Sequence, residues 1–200
     1  MSALAQEVVG RTLTQSHLAA WNFGMRRFGI TDDLPRPRGL LIGEAPGPHT
    51  DPLLPLFPEP SNSAGARLLR YAAVPAAWWL GRLVRMNLCD GTWSTRRAVA
   101  GRARALAYIL DEENYYDGRP LRVLLLGARV ARAWCCFGAF GHVEVIHHHG
   151  GGSVRAARVT AFQTAWIPHP SGRNRLYNSR RNQLRARRAV LWALGERDVP

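Results

Sequence analysis

The sequence contains no lysine, so all 27 of its basic residues are arginine, set against only 14 acidic residues. Cysteine is scarce. There are three, two of them adjacent (Cys135 and Cys136), and they make neither a disulfide framework nor a four-thiolate metal site. Long hydrophobic runs are missing as well: the apolar stretches fall far short of the roughly 18 residues that suggest a membrane span. The N-terminus lacks the basic-then-apolar layout of a signal peptide, so a cytosolic protein is expected. A disordered chain is excluded by a hydrophobic content of 46% with only 20% charged residues. Its 200 residues fit one domain, 1–200, with a proper core. No internal repeat and no linker divides it.

What is present is charge of one sign. The formal net charge is +13 and the pI is near 11.3. A pI above about 9 is the electrostatic footprint of a nucleic-acid binder. Guanidinium also forks onto phosphate oxygens better than ammonium does. The all-arginine choice fits a GC-rich genome too, which discounts the charge somewhat, but the balance still favours a nucleic-acid partner over a merely basic enzyme.

Apolar spacing at Leu4, Val8, Leu13, Leu18 and Trp21 predicts one or two leading helices over residues 3–29, broken by Pro35-Arg36-Pro37. Gly39 to Ile42 reads as a strand buried on both faces. A long loop over 44–63 follows, punctuated by six prolines; loops of that length are usually functional. Ser63 caps a predicted helix over Ala64 to Ala73, Arg82 to Leu88 reads as a strand, and Ser94 caps a helix to about Leu110. Leu121 to Leu126 is the clearest strand, turned by Gly127 into a helix over Ala128 to Trp134. Val143–His147, Val154–Val159 and Phe162–Ile167 are further strand candidates, and a last helix runs from Asn178 to about Leu194. Strands alternating with helices predict an α/β fold with a mainly parallel sheet.

Two segments stand out. Leu40-Leu41-Ile42-Gly43-Glu44-Ala45-Pro46-Gly47 and Trp166-Ile167-Pro168-His169-Pro170-Ser171-Gly172 are each an apolar strand that breaks into a Gly- and Pro-rich loop. Such strand ends converge on the carboxyl edge of an open sheet, where α/β folds build their sites. One supplies a carboxylate beside closely approachable backbone, the other an imidazole.

Taken in order, Gly43-Glu44-Ala45-Pro46-Gly47, Asp51, Phe57, Ala64-Gly65 with Leu68-Leu69, Asn87 after a strand, and His169-Pro170-Ser171 resemble the uracil-DNA glycosylase superfamily. The first motif is most similar to the thermophile-type (family 4) branch. The last, with Gly172-Arg173-Asn174, looks more like the single-strand-selective and mismatch-specific branches. The resemblance spans residues 40 to 178. It implies a single-domain, three-layer α/β/α fold with a short, mainly parallel central sheet. It also implies hydrolysis of the N-glycosidic bond of a flipped uracil, or a related modified pyrimidine, in single- or double-stranded DNA.

The residues fit that chemistry. A glycosylase must extrude its nucleotide, stack the base and read its Watson–Crick edge. Phe57 sits where the family places its stacking aromatic, though a loop-anchoring hydrophobe would look the same. The Asn87 amide offers one donor face and one acceptor, matching the imide edge of uracil and mismatching cytosine; an Asn there could equally cap a turn. His169 can donate to the base as negative charge develops on it. Ala45 occupies the position where the best-known branch has a water-positioning Asp, so Glu44 or Asp51 is left to orient water or to stabilise the sugar cation. Gly43, Pro46 and Gly47 shape a loop that backbone and base can share closely.

Beyond the pocket, Ser171, Gly172, Arg173 and Arg175 are candidates to clamp phosphates, with Leu176 or Arg173 as a wedge into the vacated stack. Arg185 and Arg188 on the last helix are either backbone contacts or a solvated face. The cysteines are too few for the iron–sulfur cluster usual in the thermophile-type branch. His147-His148-His149 reads as a surface turn more readily than as a metal tract, because at most two strand neighbours could share a ligand set. No metal, no cofactor and a monomer are therefore expected. The rival reading is a non-catalytic DNA-binding module on the same fold that senses a modified or flipped base; a hydrolase for free nucleotides is a third.

Overall fold

The computed structural model describes residues 39–47, 54–111, 121–149, 159–171 and 174–196. The predicted leading helices, the 35–37 break and most of the Val154–Val159 candidate lie outside them. Among the described residues, five strands form one sheet: β1 (Gly39–Gly43), β2 (Leu83–Asn87), β3 (Leu121–Leu126), β4 (Val143–His149) and β5 (Val159–Ile167). Their order is β2-β1-β3-β5-β4. Pairings β1–β2, β1–β3 and β3–β5 are parallel, while β4 runs antiparallel on the far edge. The helices are α1 (Ala64–Ala72), α2 (Ala76–Arg82), α3 (Thr95–Asp111), α4 (Ala128–Ala133) and α5 (Arg180–Ala193), the last preceded by a 3₁₀ turn at Arg175–Asn178.

The continuous apolar runs in β1 and β3 follow from burial on both faces. Leu41, Leu124 and Leu126 point into one core with Leu68 of α1, Trp79 of α2 and Val190 of α5. Their strand neighbours Leu40, Ile42, Val123 and Leu125 point into a second core with Ala98 of α3 and Val130 and Trp134 at α4. Alternate residues of a strand face opposite sides, so helices cover both faces of the sheet. This is compatible with the expected three layers. Among the described residues, no helix is long and apolar enough to cross a membrane.

Chain direction fixes where a site can form. β1 connects through α1 and α2 to its neighbour β2; β2 then connects through α3 to β3 on the other side of β1. Successive connections thus leave β1 to opposite sides and opposite faces, which makes the carboxyl ends of β1 and β3 a topological switch point. Open α/β sheets bind ligands in the crevice such a point leaves.

Four boundaries differ from expectation. Helix α2 was not anticipated, because Ala76-Ala77-Trp78-Trp79-Leu80-Gly81-Arg82 has no polar face and carries a glycine that weakens helix propensity. The Val143–His147 strand candidate extends through His148 and His149, paired with Thr160 and Val159, so the histidine run is strand and not a surface turn. Val159, the end of one strand candidate, opens β5 and joins the Phe162–Ile167 candidate in a single strand. The last helix starts at Arg180, since the 3₁₀ turn takes Arg175–Asn178.

Helix α3 lies close on the exit of β2: a Cβ on Gly101 would stand 1.9 Å from the Leu88 carbonyl oxygen. Alanine is the better helix former by ~1 kcal/mol, yet here the clash with backbone decides the sign. Gly101→Ala is expected to lower unfolding stability by about 1–3 kcal/mol in chemical denaturation, the usual cost of overpacking; a stabilised variant would contradict this packing.

Candidate functional site

The site begins where β1 and β2 end. Gly43 faces Asn87 in the parallel register. Pairing continues past both strands, with the Leu88 N–H donating to the Gly43 carbonyl and the Cys89 N–H to the Glu44 carbonyl, each at 3.0 Å. A Cβ on residue 43 would stand 2.4 Å from Asn87 Oδ1. Glycine therefore lets the Asn87 amide lie across the end of β1, at the mouth of the switch point.

The second wall is the loop before α1. Ser63 is the N-cap of that helix. Its Oγ accepts from the Ala66 N–H at 3.0 Å and donates to the Phe57 carbonyl at 2.9 Å. One hydroxyl thus satisfies a free helix-end donor and ties down the loop that carries the aromatic. Gly65 allows the approach, since a Cβ there would meet the Leu56 and Phe57 carbonyl oxygens at 2.1 and 2.4 Å. Phe57 is only 4% exposed, yet it lines the pocket. It serves the loop-anchoring role and the pocket wall together.

The third wall follows β5. Four successive carbonyls of this segment accept hydrogen bonds from three parts of the chain: the exit of β3, the 3₁₀ turn with its cap, and α1. Ile167 accepts from the Gly127 N–H at 2.8 Å, at the exit of β3. Pro168 accepts from the Tyr177 hydroxyl, His169 from the Asn174 amide at 2.9 Å, and Pro170 from Arg67 Nη1 at 3.3 Å. Asn174 also accepts from the Leu176 N–H at 3.1 Å and so caps the 3₁₀ turn. The backbone is thus held before, at and after His169. Burial pushes the imidazole below its ordinary value of 6.5; the Glu44 carboxylate opposes that shift and the Arg67 guanidinium acts with it. The ring is therefore neutral at neutral pH, with one N–H to donate.

These walls enclose a pocket of about 290 Å³. Ala45, Pro46, Gly47, Phe57, Asn87, His169 and Ser171 all line it, so residues separated by up to 126 positions in the chain meet as expected. Gly43 stands behind Asn87. Glu44 is not among the lining residues. Its carboxylate stands at the rim, paired with Arg129 Nη1 of α4 at 3.1 Å and about a quarter exposed. Asp51, Gly172 and Arg173 lie outside the described residues. Arg175 is exposed, and Leu176 is half exposed on the 3₁₀ turn beside the pocket's third wall. Arg185 lies on the exposed side of α5 with its guanidinium 5.9 Å from the Phe140 ring. Arg188 is one turn further along the same exposed face. Among the described residues, no group of three or more His, Cys, Asp or Glu side chains is placed to hold a metal ion.

Sequence reasoning missed Arg67, Tyr177 and Arg129. Arg67 had a signal: it is four residues after the Ser63 cap, so it shares a helix face with the cap and leans toward the helix start. Tyr177 and Arg129 had none, because their roles depend on which elements the fold brings together. The chain matches no known family model, and no curated protein matches it.

Burial pushes the Tyr177 phenol well above its ordinary value, so it remains a donor at all physiological pH. It is buried and stacked on Tyr71 at 4.9 Å. Tyr177→Phe keeps the ring and orphans the Pro168 carbonyl. A loss of about 1–3 kcal/mol in unfolding stability is expected from denaturant titration; an unchanged midpoint would remove Tyr177 from the framework of the His169 segment.

Proposed function

We propose that this protein is a DNA glycosylase that hydrolyses the N-glycosidic bond of a flipped uracil, or a related modified pyrimidine, and leaves an abasic site. The observation that carries this reading is the meeting of Asn87, Phe57 and His169 around one pocket at the switch point of the sheet. An amide, an aromatic wall and an imidazole donor are what reading, stacking and expelling a pyrimidine require. The net charge of +13 suits a partner that presents phosphates. The fold on this reading is the three-layer α/β/α domain of the uracil-DNA glycosylase superfamily, which the doubly wound sheet supports.

In the proposed reaction, the extruded base lies against Phe57 with its imide edge on the Asn87 amide. The bond between the base nitrogen and the sugar C1′ breaks, and its electron pair moves into the ring. His169 donates its N–H to the carbonyl oxygen where that charge collects; in a partly dry pocket this donor is worth more than in water. Water adds its oxygen to C1′, and the proton it sheds passes to a carboxylate and on to the departing base or to solvent. Glu44 at the rim is the candidate carboxylate, with Asp51 the other. Ser171, Arg175 and Leu176 meet the strand outside, aided by Gly172 and Arg173 on the same segment and by Arg185 and Arg188 along α5.

One observation favours the second reading, a DNA-binding module that senses a base without releasing it. Ala45 supplies no side chain to hold water, and the Glu44 carboxylate is engaged by Arg129. That pair is exposed enough to be weak, and a DNA phosphate would compete for the arginine.

The test is single-turnover release of uracil from an oligonucleotide. Removing one donor to a developing oxyanion costs about 10²–10³ in rate, so His169→Ala is expected to slow release by that order, with affinity for abasic DNA little changed. Asn87→Asp is expected to lose most uracil release while the fold persists. Release by both variants at the parent rate would exclude the mechanism.

A further inference from the structure

We propose that Arg67 is a positioning residue for His169, bracing its loop from α1 and setting the charge that faces the imidazole. The proposal rests on the reading of His169 as the donor to the leaving base, and it goes beyond that reading by assigning a role to a residue of the opposite wall.

Three observations converge on it. Arg67 and His169 line the same pocket from different elements, α1 and the segment after β5. The Arg67 guanidinium spends one N–H on the Pro170 carbonyl, one residue beyond the imidazole and 103 positions away in sequence. Its place is itself fixed: the Ser63 cap and the Gly65 contact press the first turn of α1 onto the Phe57 loop, so the guanidinium starts from a rigid base.

Among the described residues, the charges that act on His169 are those of Glu44 and Arg67. Glu44 faces it from the exit of β1 and favours the imidazolium, although Arg129 of α4 holds that carboxylate from behind. Arg67 faces it from α1 and disfavours the imidazolium, in the same sense as burial. Tyr177 and Asn174 meet only backbone carbonyls of the segment, and no charge of theirs opposes Arg67. Without Arg67, Glu44 would act against burial alone. The imidazole would gain a proton more readily, take a second N–H, and draw the carboxylate to itself and away from water. A lysine at position 67 would supply the charge on a more flexible stem, without the fixed geometry of the guanidinium.

The sign is therefore fixed. Loss of the positive charge at position 67 raises the pH at which His169 titrates. The experiment is an NMR titration of the histidine ring in the full chain, its signal assigned with His169→Gln, for the parent, Arg67→Met and Arg67→Lys. Arg67→Met is expected to move the His169 midpoint upward and to speed hydrogen exchange at Ser171 and Asn174. Arg67→Lys is expected to keep the midpoint near that of the parent. The inflection of the single-turnover rate against pH is expected to move upward with the midpoint in Arg67→Met. A folded Arg67→Met with an unmoved midpoint overturns the proposal. Should that variant not fold, Arg67→Gln keeps a donor for Pro170 without the charge, and an unmoved midpoint there overturns it equally. A raised midpoint in a protein that releases no uracil supports the placement of Arg67 and rejects the glycosylase reading, so the two failures are distinct.

Discussion

Every role assigned to the pocket depends on the rigid exit of β5. The carbonyls of Ile167, Pro168, His169 and Pro170 are taken in turn by the N–H that follows β3, by a buried phenol, by an amide that also caps the 3₁₀ turn, and by a guanidinium from α1. Two prolines flank the histidine and fix φ on either side of it. A donor that stabilises a departing anion helps only if it is already aimed before charge develops. Here the aiming is done through the backbone, by groups drawn from three parts of the chain, which leaves the imidazole itself to face the pocket.

The same economy governs the opposite walls. A glycine at the end of β1 gives the Asn87 amide its place, and a glycine in the first turn of α1 lets that helix sit on the carbonyls of Leu56 and Phe57. In both cases the absence of a Cβ turns a loose loop into a packed wall. The switch point supplies the crevice, these contacts give it definite sides, and a pocket of about 290 Å³ results. Among the described residues, the charges acting on His169 oppose each other: the Glu44 carboxylate, held by Arg129, favours the imidazolium, and the Arg67 guanidinium disfavours it.

Much of this was legible in the sequence, for identifiable reasons. Leu121–Leu126 was read to the residue, because a strand buried on both faces is a continuous apolar run closed by a turning glycine. Ser63 and Ser94 announced their helices by capping chemistry, and both hydroxyls accept from the N–H three residues on. Asn87 and His169 could be placed together because strand ends of a parallel sheet share one edge; Phe57, in a loop, was placed only by the resemblance of the motifs. Helix α2 was hidden by its lack of a polar face. The histidine run was misread because its composition suggests a turn, whereas pairing with β5 makes it strand. Arg129, Tyr177 and the rim position of Glu44 rest on contacts across the fold, which no local pattern encodes.

The central claim is that this pocket releases a base and does more than bind one. The most direct measurement incubates the full chain with matched oligonucleotides carrying one uracil or one cytosine, and then cleaves abasic sites with alkali. Strand breakage is predicted at the uracil position and not at the cytosine position, because the Asn87 amide matches the imide edge of uracil and not the Watson–Crick edge of cytosine. A shifted, intact uracil strand, bound at the same salt concentration without breakage, would contradict it and leave a protein that senses bases without cutting them.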